Sequence, residues 1–435
     1  MKPSERIRVL HISPHLGGGI GKALLSLVEG SDSKTVTHAF LLLEKPEKTL
    51  FLEQIRSRGC KIFICPDDIE ADHLISEADI VQLEWWNHPA TYKFLCERDL
   101  PQMRLLIWCH QSGLYPPLVP PGLINLADRF IFTSSCSLEA PYLAMLPEEA
   151  RAKLGVVSSG VGFTPPPSRV DRKSGPLRVC YVGTLSFSKM HPDYVKYLSA
   201  VDLPDFSVTV YGDEINRDLL LQQCERINRP GLMNFAGFVP DIAPAIAMTD
   251  IFAYILNPTH YGTAENALLE AMSAGVVPVV LDNPCEMAIV KNGKTGIVVE
   301  DASDFARAIK WLSDHPEELR RLGQNASQFV RERFNPGIMG MGMTVQYKSI
   351  QDRIKQIIDF RSALGSRPIE WFLNSLRKPS EEISDVEMKY CGFNYFDKTK
   401  GSIQHFLRYF PEDHELNEWR NAHHPLSLQD IQIRE

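Results

Sequence analysis

The stretch that most constrains the fold lies between residues 249 and 281, where the sequence reads as strand, loop, helix, glycine and strand. Its first apolar run, residues 251–256, has the length of a strand and ends at Asn257-Pro258. Gly275 stands where a helix commonly ends in a left-handed residue. The β-branched run that follows, residues 276–281, is typical of a parallel strand buried on both faces. This alternation predicts an α/β protein.

The helix inside this stretch carries the first candidate site residues. We expect Thr263 to cap it and Glu265 to lie in its first turn, where a carboxylate interacts favourably with the helix dipole. Steps of four and three residues then place Asn266, Glu270 and Ser273 on one polar stripe. A polar stripe is usually the solvated face of a helix, and these residues alone favour that interpretation.

The motif around Glu270 changes that balance. The LLEAM segment at residues 268–272, followed by Gly275, resembles the E-x7-E region of GT-B glycosyltransferases of the family-4 type, among the glycosyl transferases group 1. The resemblance covers roughly residues 6 to 360. It implies that Glu270 holds the two ribose hydroxyls of a nucleotide-sugar, and a carboxylate can accept hydrogen bonds from both.

The same resemblance exposes a departure near the start of this helix. At the family's first glutamate position, eight residues before Glu270, stands Gly262, which has no carboxylate for the sugar. The resemblance implies that the donor site is lined by the residues that follow, which are Thr263, Ala264, Glu265 and Asn266. We predict that Glu265 contacts the sugar from this shifted position. Its alternative role is only to favour the helix dipole.

Length and composition narrow the class of protein. A chain of 435 residues is expected to form two or three domains, and a formal charge of −8 argues against a nucleic-acid binder. No apolar run approaches transmembrane length, and the start lacks a signal-peptide core. The nine cysteines are scattered without a C-x-x-C pair, which predicts reduced thiols and no zinc framework. We expect a cytoplasmic protein whose contact with a membrane, if it has one, is peripheral.

A glycine-rich loop follows the first predicted strand, residues 6–13. Neither the Walker A pattern nor the dinucleotide fingerprint G-x-G-x-x-G fits it. A tight structural turn is one interpretation, but the backbone N–H groups of such a loop can also approach a phosphate. The family resemblance implies that Gly18 and Gly19 lie over the donor diphosphate and the acceptor.

His110 is the catalytic candidate from the first half of the chain. It follows a predicted strand at residues 104–109, and ligand sites in doubly wound sheets lie outside the carboxyl ends of strands. A lone histidine is more often structural than catalytic. The family carries a histidine here that contacts donor or acceptor, so the resemblance implies that role for His110.

A second series of strands and helices begins after a segment rich in proline and charge, residues 164–176, which predicts a linker. The strand at residues 177–182 runs into Gly183, where the family usually reads G-R-x-x-x-x-K. Lys189 holds the position of the lysine that neutralises the donor pyrophosphate, whereas Thr184 replaces the arginine. A solvated lysine is the alternative interpretation. Both Gly183 and Thr184 are expected to line the donor site.

The resemblance implies a GT-B fold, in which two Rossmann-like domains face each other across a cleft. The predicted parts are an acceptor domain at residues 1–168, a donor domain at 177–334, a crossover helix at 335–360 and a C-terminal extension at 361–435. Within the donor domain, residues 233–239 resemble the family's F-x-G-x-V turn, which places Val239 near the nucleobase.

The implied function is transfer of a hexosyl group from a nucleotide diphosphate sugar to a hydroxyl of a glycan or lipid-linked glycan, with retention of anomeric configuration. Members of the family need no bound metal, so no cofactor is expected besides the donor substrate. Lys189, loop N–H groups and a helix N-terminus must then stabilise the leaving diphosphate. Two alternatives remain: a non-catalytic sugar-nucleotide-binding homologue, suggested by Thr184 and Gly262, and a GT-B nucleotide-sugar epimerase.

Overall fold

The chain divides into two compact units. The computed structural model describes residues 6–170, 175–376 and 385–423. The first unit contains residues 1–159 and 336–435, and the second contains residues 160–335. The division falls before the proline-rich segment 164–176, because the backbone N–H groups of Val161 and Phe163 donate hydrogen bonds to side chains of the second unit.

The first unit is built on a seven-stranded parallel sheet in the order β3-β2-β1-β4-β5-β6-β7. Its strands are β1 (Ile7–Ser13), β2 (Val36–Leu42), β3 (Lys61–Ile64), β4 (Ile80–Trp85), β5 (Leu105–Cys109), β6 (Arg129–Phe132) and β7 (Leu154–Val156). The inner strand β5 reads LLIWC and is wholly buried, as expected for a sheet covered on both faces. The strand order reverses between β1 and β4, as in Rossmann folds.

The helices of the first unit come from both of its parts of the chain. From the N-terminal part they are α1 (Gly18–Gly30), α2 (Leu50–Ser57), α3 (Asp68–Glu77), α4 (Pro89–Cys96), α5 (Pro121–Leu126) and α6 (Glu148–Arg151), with 3-10 helices at Ser135–Glu139 and Pro141–Met145. From the C-terminal part they are α14 (Pro336–Ile350), α15 (Phe360–Leu364), α16 (Pro368–Leu373), α17 (Asp385–Phe396), α18 (Ile403–Tyr409) and α19 (His414–His423).

The C-terminal extension is part of the core of the first unit. The rings of Trp371 and Phe406 pack against Tyr92 of α4, with ring centroids 5.9 and 5.8 Å from that of Tyr92. Trp371 is fully buried, and its indole N–H donates a hydrogen bond to the carbonyl oxygen of Gly365 at 2.9 Å. The extension and the Rossmann-like sheet therefore share one hydrophobic cluster.

The crossover helix predicted at residues 335–360 is only partly present. Helix α14 covers its first part but ends at Ile350. Beyond it, Gln356 pairs with Met103 of the first unit through two backbone hydrogen bonds of 2.8 and 2.9 Å. The backbone groups of Gln356 are thus satisfied outside a helix. Ile354, which lies within the predicted helix, is 80% exposed.

The second unit is built on a six-stranded parallel sheet in the order β10-β9-β8-β11-β12-β13. Its strands are β8 (Val179–Val182), β9 (Val208–Tyr211), β10 (Met233–Gly237), β11 (Ile251–Tyr254), β12 (Val277–Leu281) and β13 (Ile297–Val299). Its helices are α7 (Tyr194–Ser199), α8 (Arg217–Arg226), α9 (Ala243–Ala247), α10 (Asn266–Ser273), α11 (Pro284–Ile289), α12 (Ala302–Asp314) and α13 (Pro316–Arg333).

The stretch around α10 follows the predicted alternation. Strand β12 is buried along its whole length, and Gly275 after α10 has a φ of 77°, the left-handed value expected where a helix ends. The predicted α/β fold with two Rossmann-like units is confirmed. Among the described residues, no helix is both long and apolar enough to cross a membrane.

Candidate functional site

The predicted donor residues of the second unit gather at one edge of its sheet. Gly183 and Thr184 follow β8, Val239 lies two residues beyond β10, and Thr263 and Ala264 follow β11. Parallel strands end at the same edge of a sheet, where ligands of such folds bind. Thr184 is exposed, Val239 and Ala264 are partly buried, and Thr263 is buried.

Lys189 and Glu265 meet at this edge in an ion pair. The loop after β8 is held beside the loop after β11, because the N–H of Asn257 donates to the carbonyl oxygen of Lys189 at 2.8 Å. The Lys189 Nζ then lies 3.0 Å from the Glu265 Oε2. The Lys189 side chain is 28% exposed, whereas that of Glu265 is 1% exposed. Lys189 is therefore the more accessible member of the pair.

The surroundings of Glu265 favour its charged form. The Tyr254 hydroxyl donates a hydrogen bond to the Glu265 Oε2 at 2.5 Å. Burial alone would raise the pKa of Glu265, but the nearby Lys189 and His260 outweigh burial and lower it. Burial likewise works to lower the pKa of Lys189, and the Glu265 carboxylate reverses this and raises it. Both groups are charged at neutral pH.

The backbone at Glu265 corrects the predicted start of α10. Glu265 adopts a left-handed conformation with a φ of 41° and precedes the first helical residue, Asn266. The predictions that Thr263 caps this helix and that Glu265 lies in its first turn are therefore wrong, because the left-handed residue ends the helical path there. This conformation turns the Glu265 side chain back towards Lys189 and Tyr254.

Gly262 makes room for the Glu265 carboxylate. A Cβ atom at Gly262 would lie 2.2 Å from the Glu265 Oε1 and 2.9 Å from the His260 Nδ1. A side chain at that position would therefore require the Glu265 carboxylate to move. The missing glutamate at residue 262 and the additional glutamate at residue 265 are therefore linked, since one excludes the other in this conformation.

A second buried pair, His260 and Glu286, lies beside Glu265 and was missed by the sequence analysis. The His260 Nε2 is 3.2 Å from the Glu286 carboxylate, and the His260 Nδ1 accepts a hydrogen bond from the N–H of Gly262 at 3.1 Å. His260, Glu265 and Glu286 offer ligand atoms within 4.8 Å of one another, close enough to hold a metal ion. The only sequence signal was a polar residue, His260, shortly after a strand end.

The polar stripe of α10 does not simply face solvent. The Asn266 Oδ1 accepts a hydrogen bond from the N–H of Val161 at 3.4 Å, and the Ser273 Oγ accepts one from the N–H of Phe163 at 2.9 Å. Glu270 lies between these two residues on the helix and is partly buried. Two members of the stripe therefore anchor the start of the second unit, and the ribose role of Glu270 stays a prediction.

In the first unit, His110 is held by a buried carboxylate. It follows β5, and its Nε2 lies 2.7 Å from the Glu84 Oε2 on the neighbouring strand β4. The other Glu84 oxygen lies 2.9 Å from the His11 Nδ1, and the His11 Nε2 lies 2.8 Å from the His38 Nδ1. Burial would raise the pKa of Glu84, but hydrogen bonds with His11 and His110 lower it. His110 therefore ends a buried hydrogen-bonded chain.

Part of the predicted glycine-rich loop belongs to helix α1. Helix α1 begins at Gly18, so Gly18 and Gly19 form its first turn and are both exposed. The first turn of α1 carries no acidic residue. Its free N–H groups and the positive end of the helix dipole can therefore interact with an anion.

Known proteins share parts of this sequence. Residues 167–329 match the family described as glycosyl transferases group 1. The lipopolysaccharide core biosynthesis glycosyltransferase LpsE of Rhizobium meliloti (strain 1021) is 28% identical over 137 residues, and the putative glycosyltransferase EpsD of Bacillus subtilis (strain 168) is 27% identical over 124 residues. These matches cover 30% and 28% of this chain, and 39% and 32% of the two relatives. The chain thus spans well under half the length of the curated relatives that it matches.

The fold is shared over a longer part of the chain. The crystal structure of Anabaena Alr3699/HepE in complex with UDP-glucose is similar with a TM-score of 0.61 at 15% identity, covering 79% of this chain and 100% of HepE. The predicted GT-B fold and the resemblance to glycosyl transferases group 1 are thereby confirmed. The narrower assignment to the family-4 type stays a prediction.

Proposed function

We propose that this chain is a retaining, metal-independent glycosyltransferase that moves a hexosyl group from a nucleotide diphosphate sugar to an acceptor hydroxyl. The observation that carries the proposal is the match of residues 167–329 to glycosyl transferases group 1, together with the Lys189–Glu265 pair at the carboxyl edge of the matched sheet. HepE is similar in fold and binds UDP-glucose, which supports a nucleotide-sugar as the donor.

The donor would occupy the edge where β8, β10 and β11 end. In this proposal Glu270 accepts hydrogen bonds from the ribose, Val239 lies near the base, and Gly183 and Thr184 approach the phosphates. Lys189 meets the diphosphate because it carries the positive charge of the ion pair and its side chain is the more exposed of the two. A cation fixed there stabilises the charge that develops as the diphosphate leaves.

Glu265 gives this donor site its own specificity. When a diphosphate replaces Glu265 as the partner of the Lys189 ammonium, the Glu265 carboxylate keeps its hydrogen bond from Tyr254. One of its lone pairs can then accept another hydrogen bond. We propose that this carboxylate accepts a hydrogen bond from a sugar hydroxyl. The Glu265 carboxylate lies where a side chain at residue 262 would begin. This placement supports a sugar contact by Glu265 in place of the family's glutamate at that position.

The first unit would contribute the acceptor side of the reaction. His110 is the candidate residue there, and Glu84 is a positioning residue because it fixes the imidazole through a 2.7 Å contact. We place the reaction in the cytoplasm, in the synthesis of a glycan, polysaccharide or glycolipid. LpsE, by its name, acts in lipopolysaccharide core biosynthesis.

A second candidate function is that of a non-catalytic sugar-nucleotide-binding protein. It is favoured by the charge balance of the site: Glu265 already neutralises Lys189, so less positive charge is available for the leaving diphosphate. Thr184 adds no charge where an arginine is usual, which works in the same direction.

Two measurements in sequence test these functions. A thermal-shift screen of nucleotide-sugars first identifies the donor, since a bound ligand raises the unfolding temperature. Release of free nucleotide diphosphate is then measured with that donor alone and after addition of glycan and lipid-linked glycan acceptors. Release that rises with an acceptor supports the transferase. Binding without release favours the binding protein, and a changed sugar without release indicates an epimerase.

A further inference from the structure

The first unit contains a cavity of about 460 Å³ that the donor residues of the second unit do not line. One wall is the start of α1, including Gly17 and Gly18, and another is the C-terminal extension around Lys400, His405 and Arg408. His15 and His88 complete the set of three imidazoles that line it. The extension, which lies outside the family match, therefore builds a ligand-sized space against the glycine-rich turn.

The three imidazoles share one protonation pattern. The Nδ1 atom of each accepts a backbone N–H: His15 from Gly17 at 3.0 Å, His88 from Ala90 at 3.2 Å and His405 from Gly401 at 3.0 Å. An Nδ1 that accepts a hydrogen bond carries no proton, so a neutral imidazole must carry its proton on Nε2. Each histidine is therefore fixed as a hydrogen-bond donor through Nε2.

Burial keeps these histidines neutral at physiological pH. Burial, with the nearby Lys400, lowers the pKa of His15 to about 4, and burial, Lys400 and Arg408 lower that of His405 to about 3. Burial also lowers the pKa of His88, which is only 2% exposed. The His88 Nε2 lies 3.8 Å from the Glu44 Oε2, beyond hydrogen-bond range.

A divalent cation is the other ligand that such a cluster suggests. His15, Glu44 and His88 offer atoms within 4.8 Å of one another. A metal ion needs a nitrogen lone pair, and here the Nδ1 lone pairs are occupied by N–H donors while the Nε2 atoms carry protons. Metal binding would have to remove either feature. The pattern instead suits a ligand that accepts hydrogen bonds.

The charges around the cavity favour an anion. Its lining includes four Lys or Arg side chains and two Glu side chains, in a chain whose formal charge is −8. Both carboxylates have partners within the unit: Glu44 accepts a hydrogen bond from the Tyr409 hydroxyl, and Glu47 lies 2.9 Å from the Arg408 guanidinium. The positive end of α1 adds to this field.

We propose that this cavity binds the phosphate or carboxylate group of an anionic acceptor substrate. That the ligand is an acceptor substrate rests on the proposed transferase function. That the cavity binds an anion does not depend on it. Three Nε2–H donors, Lys400 and the first turn of α1 would bind the oxyanion. The C-terminal extension would thereby determine which acceptors are used.

The test is calorimetric titration of the full-length protein with inorganic phosphate and, separately, with acetate. We expect wild-type protein to bind at least one of the two, and the preferred ion distinguishes a phosphate-bearing from a carboxylate-bearing acceptor. Lys400→Ala and His405→Leu should each weaken that binding at least tenfold. The matched controls Lys93→Ala and His414→Gln, which change exposed side chains of the same unit, should bind as wild type.

Lys189→Ala separates this site from the donor site. If phosphate or acetate binding is unchanged in Lys189→Ala and lost in Lys400→Ala, the cavity holds the anion whether or not the chain transfers sugar. Binding lost in Lys189→Ala and kept in Lys400→Ala would overturn the proposal, as would binding of Zn²⁺ in place of either anion. Circular dichroism of His405→Leu checks its folding, and Lys400→Ala carries the test if that variant is unfolded.

Discussion

The second unit and the first unit use similar residues in opposite ways. In the second, Lys189 and Glu265 form a charged pair 3.0 Å apart. In the first, His15 and His405 are kept neutral by burial and by the cation Lys400. A carboxylate partner keeps a buried cation charged, whereas burial beside another cation removes its proton. A ligand entering the second unit must therefore break an ion pair, while one entering the first must supply the hydrogen-bond acceptors.

Among the variants considered, Lys189→Met should have the largest effect on stability, because it removes the ion pair that distinguishes the second unit from the first. It leaves the Glu265 carboxylate buried without its cation, so we expect a loss of about 3–5 kcal/mol in the free energy of unfolding. Urea unfolding at pH 7 measures it, with Lys196→Met, an exposed lysine of the same unit, as the control. Adding Glu265→Gln should restore part of the loss. Equal stability of the two lysine variants would show that the pair contributes nothing.

Acid should affect the two units differently. The unfolded chain takes up protons on histidine near pH 6.5, but His15 and His405 in the folded unit do so only near pH 4 and 3. Their contribution to stability is therefore complete above pH 6.5 and is lost as the pH falls from 6.5 to these lower values, by roughly 3–5 kcal/mol for one histidine. The contribution of Glu265, whose pKa is lowered from 4.5, persists to lower pH.

Hydrogen exchange at pH 7 and pH 5 can resolve this difference. We expect amides of the first unit to lose protection on acidification more than those of the second. His405→Gln, which keeps a polar side chain but removes the titrating group, should reduce the pH dependence of the first unit. Equal protection at both pH values would contradict the assignment of neutral, buried histidines.

Glu270→Gln tests whether nucleotide binding belongs to the second unit alone. The variant should weaken every nucleotide diphosphate by about 1.5–3 kcal/mol, the contribution of a hydrogen bond to a charged group. Phosphate binding in the cavity of the first unit should not change. Calorimetric titration measures both, with the exposed Glu317→Gln as the control. Unchanged nucleotide affinity in a folded variant would remove Glu270 from the site.

Glu265→Gln should have the smallest and most selective effect. Affinity for the bare nucleotide diphosphate should stay the same or improve a few-fold, because Lys189 is released from its ion pair. The ranking of sugar donors should change, since the carboxylate no longer accepts hydrogen bonds from the sugar. Competition among nucleotide-sugars in the transfer assay measures this ranking. If both ranking and turnover match wild type, Glu265 serves only the folded structure.

Local patterns were sufficient for the sheets but not for the charge clusters. A few neighbouring residues are enough to predict β5 and β12, which are apolar runs, and the end of α10, which is marked by a glycine. The Lys189–Glu265 pair depends on a left-handed backbone at Glu265, which no local pattern requires. Glu265 was expected to be a donor contact, but its lysine partner was not foreseen.

The cavity of the first unit was beyond reach for a different reason. Its three histidines, His15, His88 and His405, lie in the turn after β1, at the start of α4 and in α18. Each follows a plain local rule, by accepting a nearby backbone N–H, but none is notable alone. Only the tertiary fold shows that these three histidines line one cavity, because they lie far apart in the sequence at irregular intervals.

The return of the last residues to the first unit has a consequence for how the protein is made. Residues 160–335 form the second unit from one continuous segment, so this unit can fold while the chain is still being synthesised. The core of the first unit cannot close until Trp371 and Phe406 have left the ribosome and covered Tyr92. The unit that is begun first is therefore completed last.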